Sequence, residues 1–295
     1  MRAPVLDEVR CDRPMVRLGA RRPPLRRRGG MSTRPALLVD DSPIVCVSGA
    51  EVLDRIERRI AEGGTRPLGV CSVNVDHLHH FGPGGRRLGG DVDWLSVADG
   101  APIARRGAML ARCDWPRVTG ADLLPQVIAR AAERGWRVGF VGGTPEMHDR
   151  LRPVLREEYP TLAVVGFWAP ERAELDDRDV AERIVAEVRS ASPTVLIVGL
   201  GKPRQERWID EAGPHTGAAV LLPFGAAADF MAGMVVRAPE RWQRAGAEWL
   251  YRLLQEPRRL ARRYLVQGPP ALLRLRRARL TEVTWPAASQ PGGAP

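Results

Sequence analysis

The chain alternates between short apolar runs and longer segments in which apolar residues recur every three or four positions. The apolar runs predict strands, and the periodic segments predict amphipathic helices. The predicted strands are 44–47, 68–75, 95–97, 137–141, 162–165, 194–198 and 218–222, and the predicted helices are 50–61, 123–132, 145–158, 179–190 and 205–211. Because apolar strands separated by helices are typical of a parallel sheet covered on both faces, the pattern predicts a Rossmann-like α/β fold.

The pattern changes towards both ends of the chain. The first residues are rich in Arg and Pro, and from residue 237 onward the sequence is helical, basic and interspersed with Trp, Tyr and Leu. We therefore expect a disordered tail at 1–35, an α/β domain at 36–236, a basic amphipathic helical appendage at 237–281 and a disordered tail at 282–295. Met1 and Met31 are both candidate start sites.

The net charge of +10 over 295 residues is concentrated in the end segments. Residues 1–30 contain nine arginines and three acidic residues, and residues 237–280 contain twelve arginines and three acidic residues. The central residues 31–236 contain 24 basic and 28 acidic residues. A slightly acidic central domain argues against a nucleic-acid groove running across it. All the basic residues except Lys202 are arginines.

Cysteine usage and apolar segments indicate a cytosolic protein. The four cysteines form no CxxC pair, which predicts reduced thiols. The longest uncharged stretch, 212–228, is short and interrupted by prolines, so no transmembrane helix is predicted. Residues 1–30 contain arginines but no apolar core of a signal peptide.

Residues that follow the predicted strands are the first candidates for a binding site, because ligands of parallel sheets bind at the carboxyl ends of the strands. Two of these turns contain glycines. Gly142-Gly143 leads into a helix whose N-terminus favours an anion, although an ordinary tight turn has the same composition. Residues 199–206 begin like a dinucleotide fingerprint, but they lack its third glycine, and no acidic residue is placed to bind a ribose. Their cations, amide and carboxylate suit a polar ligand such as a nucleotide-sugar, and a helix-capping cluster is the other interpretation.

Asp99 is a candidate general base, and two further patterns suggest metal ligands. Asp99 follows an apolar strand, where its carboxylate can accept a proton from a bound hydroxyl or cap a turn. Asp91 and Asp93 form a DxD pattern, which holds divalent cations in some enzymes and also arises at exposed strand edges. The histidines at 77, 79 and 80 lack a companion cysteine or acidic set, which favours solvated loop residues. We therefore predict no metal site.

The C-terminal segment 248–265 alternates arginines with aromatic and aliphatic residues at helical spacing. Such a helix can lie on an anionic membrane surface, bring arginines to a diphosphate, or pack on the body as a solvated helix. The second basic stretch, 271–280, is expected to face the membrane.

Ten motifs in the same order resemble those of the WecG/TagA/CpsF glycosyltransferases, over roughly residues 44–265. They are Ser72-Val73-Asn74, Ala98-Asp99-Gly100, Arg117-Val118-Thr119-Gly120, Val141-Gly142-Gly143, Tyr159-Pro160, Gly199 to Glu206, Asp229-Phe230 with Ala232-Gly233, Arg237-Ala238-Pro239, Glu248-Trp249-Leu250-Tyr251-Arg252 and Glu256-Pro257-Arg258-Arg259. Two positions depart from the family pattern: Gly225-Ala226 stands where two glycines are common, and Arg204 replaces a common lysine.

The resemblance implies an inverting glycosyltransferase that requires neither a metal nor another cofactor. It would transfer N-acetylmannosamine, its uronic acid or a glucose-type sugar from a UDP-sugar to a polyprenyl-diphosphate-linked acceptor. The product would be a cell-surface polysaccharide or a teichoic-acid-type polymer. The resemblance also implies a cytoplasmic protein that binds the anionic inner face of the cell membrane and no nucleic acid; a homo-oligomer stays open.

The same resemblance assigns roles to residues at matching positions. Asp99 would be the general base. Ser72 and Asn74 would line the sugar pocket, and Asp229 would hold a sugar hydroxyl or the uridine. The complete set of substrate-binding residues is Ser72, Asn74, Arg117, Gly142, Gly143, Gln205, Glu206, Asp229, Arg252, Arg259 and Arg262, of which the last three would fold over the pocket and neutralise the departing diphosphate.

Two other classes of function stay as alternatives. A nicotinamide-dependent oxidoreductase is disfavoured by the missing third glycine and the missing ribose acid. A nucleic-acid-binding protein that uses the arginine-rich ends is disfavoured by the acidic central domain and by the lack of a recognition motif.

Overall fold

The structure is a computed structural model that describes residues 31–40, 42–82, 88–239, 241–242, 246 and 248–286. The strands are β1 Met31–Val39, β2 Ser42–Val45, β3 Leu68–Val73, β4 Asp93–Ala98, β5 Arg137–Gly142, β6 Ala163–Trp168, β7 Val195–Gly199, β8 Val220–Leu222 and β9 Arg279–Pro286. The α-helices are α1 Gly49–Glu62, α2 Val75–Phe81, α3 Ala101–Ala111, α4 Gly120–Arg134, α5 Pro145–Glu158, α6 Arg172–Asp176, α7 Arg178–Ser190, α8 Arg204–Ala212, α9 Gly225–Met231, α10 Glu248–Gln255, α11 Pro257–Ala261 and α12 Gly268–Leu275. A 3₁₀ turn follows α8 at Gly213–Thr216, and a π-helical turn joins α11 to α12 at Arg262–Gln267.

The described strands form one nine-stranded sheet in the order β6-β5-β7-β8-β3-β4-β2-β1-β9. The seven strands from β6 to β2 pair in parallel, and β1 and β9 extend the sheet by antiparallel pairing. The predicted α/β fold is therefore confirmed, and each of the seven strands read from the apolar runs is present.

Buried side chains on both faces of the sheet explain why these segments form strands and helices. On one face, strand residues such as Val70, Val97 and Phe140 pack against apolar residues of α1, α4 and α5. On the other face, one cluster joins β2 and β3 to α2, α3 and α12, and a second joins β7 to α7 and α8. Strands covered on both faces lose the alternation of polar residues, which is why they appear as continuous apolar runs.

The two end strands correct the predicted tails. Residues 31–35 and 282–286 are not disordered, because β1 and β9 pair along eight positions, from Met31 with Pro286 to Leu38 with Arg279. Trp285 is 5% exposed and belongs to the main core. Residues 1–30 and 287–295 of the predicted tails lie outside the described residues.

The C-terminal segment packs more deeply on the body than the sequence indicated. Ala271, Leu275 and Ala278 are buried in the cluster that contains α2 and α3, so the expectation that 271–280 faces only a membrane is wrong. Leu272 and Leu273, on the opposite side of α12, are exposed. No helix in the described part of the chain has the length and apolarity needed to cross a membrane.

Candidate active site

A cavity of about 1230 Å³ opens at the carboxyl ends of β3, β4, β5, β7 and β8. Strand ends and the turns that follow them form its floor, and residues of the C-terminal helices form its opposite wall. Three helices begin at its rim, and the side chains of Asn74, Thr119 and Thr144 cap α2, α4 and α5 there. The cavity thus lies where ligands of open parallel sheets bind.

Asp99 lies at the cavity directly after β4. Its Oδ2 accepts a hydrogen bond of 3.2 Å from the Asn74 side-chain amide, and Asn74 follows the neighbouring strand β3. Burial raises the pKa of Asp99, and the Lys202 ammonium, the Asn74 hydrogen bond, and Arg117 and Arg263 oppose that shift. A carboxylate with a raised pKa that faces a cavity is suited to accept a proton near neutral pH.

Three cations face the cavity near Asp99: Arg117, Lys202 and Arg263. Arg117 Nη2 lies 3.9 Å from Glu248 at the start of α10. Arg263 Nη2 lies 3.2 Å from Asp76, an almost fully buried carboxylate in the first turn of α2. These two ion pairs also connect the C-terminal helices to the body of the protein.

The second glycine of the turn after β5 lines the cavity, and the first lies beneath it. Gly142 is the last residue of β5, with a φ of 87°, and a Cβ added there would lie 2.6 Å from the backbone of Gly199. Gly143 donates a backbone hydrogen bond of 2.9 Å to Gly199 and lines the cavity. Gly142 is therefore required by close strand packing, and only Gly143 is placed to contact a ligand.

Gln205 and Glu206 were both predicted to bind substrate, but only Gln205 lies at the cavity surface. Gln205 lines the cavity, but its Nε2 donates 2.8 Å to the backbone oxygen of Pro223 and so joins α8 to the turn after β8. Glu206 is 0% exposed and is not among the cavity-lining residues; its Oε1 lies 3.2 Å from the Lys202 ammonium. Glu206 therefore supports the cavity floor from below.

The remaining predicted residues fall into three groups. Ser72 and Asp229 line the cavity together with Asn74, Asp99 and Arg117. Arg262 is exposed and is not among the lining residues, whereas its neighbour Arg263 is. The side chains of Arg252 and Arg259 lie outside the described part of the chain.

The DxD pattern is a structural feature at the far end of β4 from Asp99. Asp93 begins β4, and its carboxylate lies 2.6 Å from Arg59 and 3.3 Å from Arg66. These ion pairs join α1 to the start of the strand. Asp93 is therefore engaged at the opposite end of the strand from the cavity.

The interpretation of the histidines as solvated loop residues is wrong, because all three lie in α2, and His79 and His80 are half-buried. The departure is largest for His77. It is buried in α2, and its Nδ1 lies 3.3 Å from Cys71 Sγ, the companion cysteine that sequence spacing did not reveal. Within the described part of the chain, one cluster has the geometry to hold a metal ion: the ligand atoms of Cys71, His77 and Glu206 all lie within 4.8 Å of one another. Burial raises the pKa of Cys71 and lowers that of His77, so both are neutral, and Lys202 already balances the charge of Glu206.

Three residues at the site had no assigned role in the sequence prediction: Lys202, Arg263 and Asp76. The sequence singled out Lys202 as the one lysine and as one of the cations of its turn, without a role. A sequence signal existed for Asp76, because an acidic residue in the first turn after a strand end faces the same edge as Asn74. Arg263 offered no such signal, since it stands among several arginines.

A comparison with protein-family models agrees with this architecture. A model described as the glycosyl transferase WecG/TagA/CpsF family matches residues 38–284. The match includes the cavity, the C-terminal helices and most of β9.

Proposed function

Because the chain belongs to the WecG/TagA/CpsF family of glycosyltransferases, we propose that it transfers a sugar from a UDP-sugar to a polyprenyl-diphosphate-linked acceptor, with inversion. Family membership makes the protein a glycosyltransferase of cell-surface polymer synthesis that takes a nucleotide-sugar donor and a lipid-linked acceptor. The finer statements are the proposal: UDP as the nucleotide, and N-acetylmannosamine, its uronic acid or a glucose-type sugar as the transferred group.

The position of Asp99 carries the proposal. Its carboxylate takes the proton of the acceptor hydroxyl as that oxygen forms a bond to the anomeric carbon. At the same time the bond between the anomeric carbon and the diphosphate breaks, and UDP leaves with the electron pair. One displacement of this kind inverts the anomeric centre and requires no covalent intermediate on the protein.

Arg117 and Arg263 supply positive charge around the departing diphosphate. Guanidinium groups present paired donors that match phosphate oxygens, and they are worth more in a cavity that excludes water. Both groups approach Asp99 from different elements, the loop before α4 and the π-helical turn. Asp229 and the backbone of Gly143 line the same cavity and are proposed to hold the donor.

Exposed apolar residues on the C-terminal helices support a position on the inner face of the cell membrane. Leu265, Val266 and Leu273 are each at least 60% exposed, and Leu254 is 66% exposed. Arg276 and Arg277 are exposed beside α12. An apolar surface flanked by arginines binds anionic lipid surfaces and would bring the cavity to a lipid-linked acceptor.

A donor screen tests the proposal directly. UDP release is measured from a panel of UDP-sugars, each with a lipid-diphosphate-sugar acceptor and without it. Acceptor-dependent release from one or a few UDP-sugars is expected. Release only from sugars carried on another nucleotide would overturn the donor assignment, and stabilisation of the fold by NAD but not by UDP in a thermal-shift assay would favour an oxidoreductase.

A further inference from the structure

Lys202 is the single lysine of a chain that contains 45 basic Lys and Arg residues. Arginine serves at all the other basic positions, including the exposed ones where either residue would be tolerated. Lys202 is therefore the one basic position at which the difference between an ammonium and a guanidinium can matter. An ammonium is a compact point charge with three donors, whereas a guanidinium is a larger planar fork.

The contacts of Lys202 show where that compact charge is needed. Its Nζ donates 3.3 Å to the backbone oxygen of Ser72 at the end of β3 and lies 3.2 Å from Glu206 Oε1 in α8. Gln205 Nε2 lies 3.3 Å from the same carboxylate oxygen. The ammonium is thus anchored between the end of β3 and the first turn of α8, and its side chain, 13% exposed, lines the cavity.

The charged groups around Asp99 approach it from four directions. Asn74 donates from the end of β3. The cations that act on the Asp99 carboxylate are Lys202 before α8, Arg117 before α4, Arg263 in the π-helical turn and Arg237 after α9, and the neutral thiol of Cys71 on β3 also interacts with it. Arg117, Arg263 and Arg237 each pair with a carboxylate of Glu248, Asp76 or Asp122, and their side chains are about a quarter exposed.

We propose that Lys202 is a positioning residue for the catalytic base, and that its anchored ammonium holds the Asp99 carboxylate in the ionised form that accepts the hydroxyl proton. The inference rests on the proposed role of Asp99. It adds an arrangement in which two oxygens, of Ser72 and Glu206, hold the largely covered cation. The backbone N–H of Asp99 donates 2.9 Å to Val73, the residue next to Ser72, so the cation and the base meet at the same end of β3. Arginine does not fit this role, because its fork would need more acceptors than these two oxygens provide.

The titration behaviour of both groups agrees with this arrangement. Burial raises the pKa of Asp99, and Lys202 is the strongest influence that lowers it again. Burial alone lowers the pKa of Lys202, but Glu206, Cys71, Asp76 and Asp99 raise it above its ordinary value, so the ammonium stays charged. His77 and His80 also face Lys202, and the cation lowers the pKa of both.

The test is the pH profile of kcat/KM in variants that remove the cation without leaving Glu206 unpaired. In the double variant Lys202→Met/Glu206→Gln the pKa of Asp99 rises further. The acidic limb of the profile, where kcat/KM increases with pH, should therefore move to higher pH by about one to two units, and activity should recover at alkaline pH. Glu206→Gln alone keeps the ammonium, and its limb should lie at or below the wild-type position. A purely structural role of Lys202 would lower activity equally at all pH values.

Two further variants complete the test. Lys202→Arg keeps a positive charge but not the fit to these two oxygens, so its acidic limb should lie between those of the wild type and the double variant. If the first double variant does not fold, Lys202→Gln/Glu206→Gln places two amides in the same space and carries the same expectation. Loss of activity in Asp99→Asn together with an unmoved acidic limb in the double variant would overturn the inference alone. Near-normal activity of Asp99→Asn would overturn the proposed function.

Discussion

Asn74 Nδ2 lies 3.2 Å from Asp99 Oδ2, and the other end of the same amide accepts a hydrogen bond of 3.1 Å from the backbone N–H of His77. One side chain therefore orients the proposed base and caps α2. Because the donor and the acceptor of an amide are separate atoms, the two roles can be separated by substitution.

Asn74→Ser should retain the helix cap and lose the donor to Asp99, since serine ranks with asparagine as an N-cap. We expect a melting temperature close to that of the wild type and an acidic limb of kcat/KM at higher pH, because a hydrogen bond to the carboxylate is lost. Asn74→Ala should lose both functions and cost about 1 kcal/mol in addition. Equal melting temperatures for the Ser and Ala variants would contradict the capping role.

Asp99→Asn should lower kcat by about 10²- to 10⁴-fold, as expected for loss of a general base. It should also stabilise the fold at neutral pH. The folded-state pKa of Asp99 is raised, so the folded protein binds this proton more tightly than the unfolded chain, and ionising the carboxyl costs stability as pH rises. The gain in melting temperature should therefore shrink as pH falls below the ordinary pKa of an aspartate. A gain that persists unchanged in acid would contradict this linkage.

Gly142→Ala should destabilise the protein more than Gly135→Ala. Both residues have positive φ, 87° and 67°, but an added Cβ at Gly142 meets the Gly199 backbone at 2.6 Å, whereas at Gly135 it meets nothing within 4 Å. The left-handed conformation costs about 1–2 kcal/mol at either position, and crowding adds about 1–3 kcal/mol at Gly142. Urea unfolding measures both variants, and similar costs would show that β5 and β7 can separate freely at this point.

Arg263→Gln should reduce kcat/KM by about tenfold to a hundredfold, the range expected for a lost charged hydrogen bond. Arg262→Gln, at the adjacent exposed position, should change it less than about threefold, because exposed charges contribute little. Arg263→Lys keeps a cation opposite Asp76 and controls for stability. A larger loss of kcat/KM in Arg262→Gln than in Arg263→Gln would contradict the prediction and indicate that Arg262 binds the diphosphate.

Substitutions on the exposed surface of the C-terminal helices should release the protein from vesicles. Deleting 237–295 would also remove β9 and the buried face of α12, so surface variants are the sharper test. Changing Leu265, Val266 and Leu273 to Ser, or Arg276 and Arg277 to Gln, should weaken sedimentation with anionic vesicles by about tenfold or more. The matched control is Arg150→Gln/Arg178→Gln, which removes two exposed arginines elsewhere. Equal loss in the control would indicate attraction by net charge alone.

The apolar pattern was sufficient to find the seven parallel strands, and with them the edge at which the site lies. Asp99 was found because the end of its strand could be located in the sequence, and the family resemblance assigned Ser72 and Asn74. The antiparallel strands β1 and β9 were missed because β9 and the first half of β1 pair with each other across about 250 positions, although the end of β1 also pairs with β2. Their alternating, partly polar sequences resemble tails when each is considered alone.

Side-chain direction was predicted less well than position. The resemblance assigned Arg252, Arg259 and Arg262, but Arg262 begins a π-helical turn and is exposed, and its neighbour Arg263 lines the cavity. The sequence did not reveal this turn, in which the rotation per residue differs from that of an α-helix. Likewise, Cys71 and His77 belong to different elements, and only the packing of α2 against β3 brings their side chains together.

Because Lys202 is the single lysine of the chain, reagents that modify side-chain amines react with this protein at one defined residue. A reagent that acylates or reductively methylates amines has a single side-chain target, Lys202, which lines the cavity and is largely covered. Isotope-labelled methyl groups added at that nitrogen would give one side-chain signal, and its change on adding UDP-sugar or acceptor would report which compounds enter the cavity. Acylation removes the charge of that nitrogen and should lower activity at the rate of its modification, whereas methylation keeps the charge and should lower activity less.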